Sequence, residues 1–160
     1  MHQFVIEMNF RFAAERTLGK LARWLRLLGF DTVFENENRG GPWLRNLKPG
    51  TILLTRTEQV RKTLPASQRF IFIQSNDTGK QLRQMIEELG IGMQDTRPFS
   101  RCLNCNVAIE VIAKVKICGK VPDYIWENNT VFQSCPQCNN IYWPGSHTKR
   151  SLDRIEELFE

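Results

Sequence analysis

With 160 residues, 41% of them hydrophobic, and a formal charge of +5, the chain is long enough for one core of about 100 residues and a small appendage. No apolar run approaches the ~18 residues that span a bilayer, and Met1-His2-Gln3-Phe4 lacks the basic start and apolar stretch of a secretory signal, so a reducing, cytoplasmic setting is expected. The basic pI of about 9.1 favours a polyanionic partner, although many basic proteins bind no nucleic acid.

Phe4, Ile6, Met8, Phe10 and Phe12 alternate with other residues, which predicts a half-buried strand over 4–12. From Thr17 the period lengthens. Leu18, Leu21, Ala22, Leu25 and Leu28 recur at helical spacing, and Gly29 supplies the stop. Residues 31–34 read as a short strand, and the glycine-broken stretch 35–50 as mainly loop. Residues 51–55 and 70–73 are apolar runs suited to strands buried on both faces of a parallel sheet. Residues 58–64 predict a short helix, and 78–89 a longer one with Leu82, Met85, Ile86 and Leu89 on one face. This alternation predicts an α/β domain over 1–97, a small parallel sheet with flanking helices. Arg97-Pro98-Phe99 reads as a linker into a second unit, 98–160, that ends in a helix over 149–159.

That second unit carries two Cys-x-x-Cys pairs, Cys102/Cys105 and Cys135/Cys138. Each pair places two thiolates on one tight turn, and two such turns supply the four sulfur ligands of a structural Zn²⁺, so the region reads as a zinc ribbon. A disulfide framework is the rival reading. Cys118, outside the pairs, is expected as a small buried hydrophobe.

Arg16, Lys20, Arg23 and Arg26 recur every three or four residues along the first long helix. The stripe can track a phosphate backbone or be an ordinary solvated face. Its position favours the first, because the helix begins beyond the carboxyl end of the first strand, where open α/β sheets bind ligands. Glu15 stands at the same junction, either as a ligand for a divalent metal or as a charge favoured at a helix start. Asp31, Glu35 and Glu37 after the second strand, Glu58 after the third and Asp77 after the fourth are the acids expected at comparable edges. Each taken singly is an ordinary surface residue. His147 is a candidate RNA contact, and Tyr142 and Trp143 either stack on bases or fill the ribbon's small core.

The run from Ala14-Glu15-Arg16-Thr17-Leu18-Gly19-Lys20 to Gly29-Phe30-Asp31-Thr32 resembles the opening of the Mut-seven C-terminal (Mut7-C) RNase-domain family. Leu53-Leu54-Thr55-Arg56, Gln81-Leu82, Arg101-Cys102, Cys105-Asn106, Val121-Pro122, the second cysteine pair and Tyr142-Trp143 with Gly145-Ser146-His147 match in order, over about 9–150. The resemblance implies a PIN-like nuclease fold followed by a zinc ribbon, and metal-dependent RNA cleavage in which carboxylates hold Mg²⁺ or Mn²⁺ and activate a water. Carried onto this chain, it puts Glu15, Asp31 or Glu37, Glu58 and Asp77 around the metal, with Arg16, Lys20, Arg23, Arg26, Arg56 and His147 toward RNA. Two positions depart from the family pattern: Glu15 stands where aspartate is usual, and Thr57 where the pattern reads Leu-Thr-Arg-Asp. The second expectation is therefore a zinc-ribbon module that has lost catalysis and binds RNA or docks onto a protein.

Overall fold

The computed structural model describes residues 9–35 and 41–160. Four strands, β1 (Arg11–Ala14), β2 (Asp31–Phe34), β3 (Ile52–Thr55) and β4 (Phe70–Phe72), pair in parallel in the order β2-β1-β3-β4. Between them run the helices α1 (Gly19–Leu27), α2 (Gly41–Arg45) and α3 (Glu58–Thr63), and α4 (Thr78–Leu89) follows the last strand. The chain is thus an α/β protein with a four-stranded parallel sheet flanked by helices.

Alternation along the strands sends Phe12, Ala14, Ile52, Leu54 and Ile71 to one face, where Leu18, Leu21, Leu25, Leu82 and Met85 from the helices complete the main core. Ala13 and Leu53, of opposite parity, are also fully buried, so the two central strands are covered on both sides. The helix α4 spans the predicted residues because its start and stop are both built locally. The Asp77 side chain accepts from the Lys80 N–H at 2.9 Å, and Gly90 closes the helix in the left-handed region at φ 64°.

Two expectations about local structure are corrected. Among the described residues the first strand begins at Arg11, with Asn9 and Phe10 before it; the part of the expected strand over 4–8 lies outside the described residues. The strand continues through Ala13 and Ala14, whose small side chains fit where helices press on the sheet. Within 35–50, read as loop, Gly41–Arg45 forms α2, with Pro42 in the first turn where its missing N–H costs nothing.

The remaining chain builds a smaller antiparallel sheet from β5 (Glu110–Ile112), β6 (Phe132–Ser134) and β7 (Ile141–Tyr142), with a short helix α5 (Asp123–Asn128) beside it. Ile117, Val121 and Phe132 form its core, flanked by Trp126, Ile141 and Trp143. Cys118 is exposed, which corrects its assignment to a core: it follows a 3-10 turn in which Ile117 takes the inward position. The last helix, α6 (Ser146–Phe159), begins a turn earlier than the apolar spacing indicates, because the Thr148 hydroxyl accepts from the Gly145 N–H at its start. It returns to the main core through fully buried Ile155.

The ribbon joins the α/β part at the end of α1. The Arg97 and Phe99 N–H groups donate to the Leu28 and Leu27 carbonyls, and Arg101 Nε donates to the Gly29 carbonyl. The linker therefore satisfies the acceptors that a helix leaves open at its C-terminus. Gly29 is required here twice over: its φ of 95° disfavours any side chain, and a Cβ would collide with the Arg97 carbonyl.

Candidate metal centre and the carboxyl edge of the sheet

Cys102, Cys105, Cys135 and Cys138 come together with their sulfurs all within 4.8 Å of one another. Two antiparallel turns of the same construction hold them. In the first, the Cys102 N–H donates to the Val107 carbonyl and the Asn106 N–H to the Cys102 carbonyl; in the second, Cys135, Asn140 and Asn139 repeat both bonds. Each turn closes on an asparagine in the left-handed region, Asn106 at φ 66° and Asn139 at φ 62°. The sequence held this signal as Cys-x-x-Cys-Asn written twice.

The Cys102–Cys138 sulfur separation of 3.7 Å matches the ~3.8 Å edge of a tetrahedron with ~2.3 Å metal–sulfur arms. Backbone N–H groups of Cys105 and Cys138 point at the sulfurs of Cys102 and Cys135 at 3.4 Å, a donor set suited to thiolates. Burial pushes the Cys102 thiol up, but the Tyr142 hydroxyl at 3.1 Å and the nearby N–H groups outweigh it and bring it down to about 6. Cys105 is pushed up to about 12, first by its sulfur contact with Cys138 and then by burial. Cysteine binds a metal as its thiolate, so a cation entering the cluster displaces protons. Four cysteines are positioned to bind a metal ion, and they fit a structural zinc.

At the other end of the molecule, the strand order reverses between β1 and β3, and in an open parallel sheet the crevice at such a switch point is the usual ligand site. Glu15 stands there, 6% exposed, directly after β1. Its Oε1 accepts from the Thr17 hydroxyl at 2.8 Å, the Arg56 N–H at 2.7 Å and the Thr57 hydroxyl at 3.2 Å, while Oε2 accepts from the Thr55 hydroxyl at 2.7 Å. A carboxylate offers about four acceptor sites; among the described residues Oε2 takes one donor, which leaves it a further acceptor site. Arg56, half-buried beside it, has an Nε without a hydrogen-bond partner among the described residues.

The remaining acids fall in different places. The Glu35 N–H donates to the Ala14 carbonyl and extends the β1–β2 register by one step, which brings Glu35 to the position beside Glu15, one strand spacing or ~4.8 Å away along the backbone. Glu35 therefore has a stronger claim to this edge than Asp31. Asp31 is the first residue of β2, on the opposite, amino edge, where it accepts from Arg11 at 3.2 Å and from the Asn106 amide at 2.7 Å. Its expected place at the carboxyl edge is corrected: the strand starts, rather than ends, at this residue. Glu58 is exposed in the first turn of α3 and paired with Arg61 at 3.1 Å. Asp77 caps α4 and follows β4, two strand spacings or ~10 Å from β1. Glu37 lies outside the described residues. Among the described residues, the cysteines are the sole group of three or more His, Cys, Asp or Glu side chains gathered closely enough for one ion.

The basic stripe is divided. Arg16 and Lys20 are exposed and have no hydrogen-bond partner among the described residues, and Arg23 reaches Asn104 of the first cysteine turn at 3.4 Å. Arg26 is withdrawn from the stripe. It donates to the carbonyls of Thr32, Leu103 and Asn104 at 2.9, 2.8 and 3.0 Å, and burial lowers its pKa. Its task is to clamp the ribbon onto α1, a role that spacing along the helix could not distinguish from phosphate binding. His147 is exposed in the first turn of α6.

The family model for the Mut7-C RNAse domain matches residues 10–155. The chain belongs to the Mut7-C RNAse domain family. No match was found among the curated proteins or among the solved structures. The family points to a nuclease-type function with RNA as the substrate class. Among the described residues, no helix of this Mut7-C domain is long and apolar enough to cross a membrane.

Proposed function

We propose that this Mut7-C domain is a metal-dependent ribonuclease that hydrolyses RNA phosphodiester bonds at the carboxyl edge of the parallel sheet. The observation that carries this reading is Glu15, a buried carboxylate fixed by four donors at the switch point, with Glu35 one strand away. Mg²⁺ is commonly held by one or two carboxylates together with substrate phosphates, and Glu15 and Glu35 meet that minimum. Bound there, Mg²⁺ or Mn²⁺ supplies Lewis acidity toward a phosphoryl oxygen and a more acidic water. The chain's own residues position the reactants. Thr17, Thr55, Thr57 and the Arg56 N–H hold the Glu15 carboxylate in one orientation, the Arg56 guanidinium lies beside the edge for a phosphate, and Arg16, Lys20 and Arg23 track the RNA backbone. The ribbon binds structural zinc through its four cysteines.

The test is cleavage of single-stranded and structured RNA by purified protein with Mn²⁺ or Mg²⁺, compared with Glu15→Gln. A loss of at least 100-fold in the variant is expected. Wild-type cleavage no faster than that of the variant overturns the reading.

A second reading, RNA binding without cleavage, draws on Thr57. Where the family pattern carries an aspartate, this chain has a hydroxyl that donates to Glu15, and the metal site has one acid fewer. Salt-dependent RNA binding with no metal-stimulated cleavage would select it.

A further inference from the structure

An open cavity of about 720 Å³ lies between the ribbon sheet, α5 and the first turn of α6, within the usual size range of ligand sites. Leu27 from α1 and Leu103 from the first cysteine turn form its wall on the side of the α/β domain. Tyr124 and Val131, 65% and 55% exposed, line it although neither serves a core, and Trp143 adds a third apolar surface. Gln133 and His147 also line it, and neither side chain has a hydrogen-bond partner among the described residues.

Its position relative to the basic stripe decides what it suits. The helix α1 is ~14 Å long; it follows the 3-10 turn that carries Arg16 at the carboxyl edge and runs toward the ribbon joint, where Arg23 contacts Asn104. Leu103, the neighbour of Asn104, is part of the cavity wall. A backbone laid along Arg16, Lys20 and Arg23 is thus carried from Glu15 toward the cavity. Aromatic surfaces with unsatisfied donors and acceptors at the end of a cationic track suit a strand whose bases are unpaired. An apolar peptide would leave Gln133 and His147 unpaired and gain nothing from the track.

We propose that this cavity receives an unpaired base of a single-stranded RNA, several nucleotides from the scissile bond, with Tyr124 stacking on it and Gln133 and His147 reading its edge. The inference rests on the ribonuclease reading for the identity of the polymer but not on cleavage.

The experiment uses the full-length, zinc-loaded protein carrying Glu15→Gln, so that RNA stays intact, and measures fluorescence anisotropy of a labelled single-stranded oligouridylate, its duplex with oligoadenylate, and a labelled acidic peptide. Tyr124→Ala is expected to weaken single-strand binding roughly tenfold with an unchanged salt slope, Tyr124→Phe to retain it, and His147→Ala to weaken it several-fold. Lys20→Glu should instead reduce the salt slope. Equal affinity for single strand and duplex, tighter binding of the acidic peptide, or unaltered single-strand binding in both Tyr124→Ala and His147→Ala overturns the proposal. Two combinations separate it from the ribonuclease reading. If wild type does not cleave but Tyr124→Ala loses binding, the base site stands alone; if wild type cleaves and Tyr124→Ala binds normally, the base site falls alone.

Discussion

The Thr55 hydroxyl donates to Oε2 of Glu15 over 2.7 Å and at the same time accepts from the Thr57 N–H at 3.1 Å, tying the end of β1 to the turn that follows β3. Thr55 is fully buried, so water cannot replace either bond. Removing it leaves a buried carboxylate oxygen without its donor, which costs about 1.5–3 kcal/mol for a bond to a charged group.

Thr55→Val keeps the side-chain volume and removes only that hydroxyl. The thermal midpoint is expected to fall by roughly 4–10 °C in a domain of this size, and cleavage to fall with it as Glu15 gains freedom. Thr55→Ser, which restores the donor, should recover most of the cleavage. Recovery of stability without recovery of cleavage would show that Thr55 does not position Glu15.

Asn106 binds the ribbon to the edge of the main sheet. Its amide oxygen accepts from the Thr32 N–H at 2.9 Å, its amide nitrogen donates to Asp31, and its backbone holds φ 66°. Asn106→Ala loses both bonds and keeps the strained backbone, at a cost of about 3 kcal/mol. Asn106→Gly relieves the backbone and loses only the side chain. Chemical denaturation should rank wild type above Asn106→Gly above Asn106→Ala; an Ala variant equal to wild type would remove the side chain from the joint.

Much of the main domain could be read locally, and what could not has a common physical cause. The boundaries of α4 lie in Asp77, the apolar spacing and Gly90, all within a few residues, and β2 is a four-residue run bounded by Gly29-Phe30 and Glu35. The cysteine pairs were legible because each turn's ligand spacing is local, and Asn106 and Asn139 repeat it. By contrast, three of the four donors to Glu15 come from residues 40 to 42 positions away, only Thr17 being local, and Arg26 reaches 77 positions to Leu103. No periodicity records such partners. Asp31 is a different case: a strand over 31–34 starts at this residue, so its carboxylate belongs to the amino edge, and only an acid past Phe34, such as Glu35, reaches the carboxyl edge.

Metal removal should loosen the joint selectively. The first cysteine turn supplies Asn106 to Thr32, and the carbonyls of Leu103 and Asn104 to Arg26, so opening that turn frees β2 and the end of α1. A zinc chelator is expected to raise amide exchange at Thr32 and across 101–107 and 135–140, while the Leu82 and Met85 segment of α4, buried in the main core, remains protected. Uniform exchange across both regions would indicate that ribbon and main core unfold together.

Thr57 offers the sharpest test of how this chain departs from its family's pattern. Its hydroxyl donates to Oε1 of Glu15 at 3.2 Å from an exposed position after β3, so a carboxylate placed there stands beside Glu15 with access to solvent. Thr57→Asp exchanges a donor for an acceptor and puts two negative charges together, which destabilises the protein without a cation and favours binding of one. Calorimetric titration with Mn²⁺ should therefore show at least tenfold tighter binding than wild type, and the thermal midpoint should fall without Mn²⁺ and recover with it. Cleavage should rise in parallel. If Mn²⁺ affinity is unchanged, residue 57 does not face the cation.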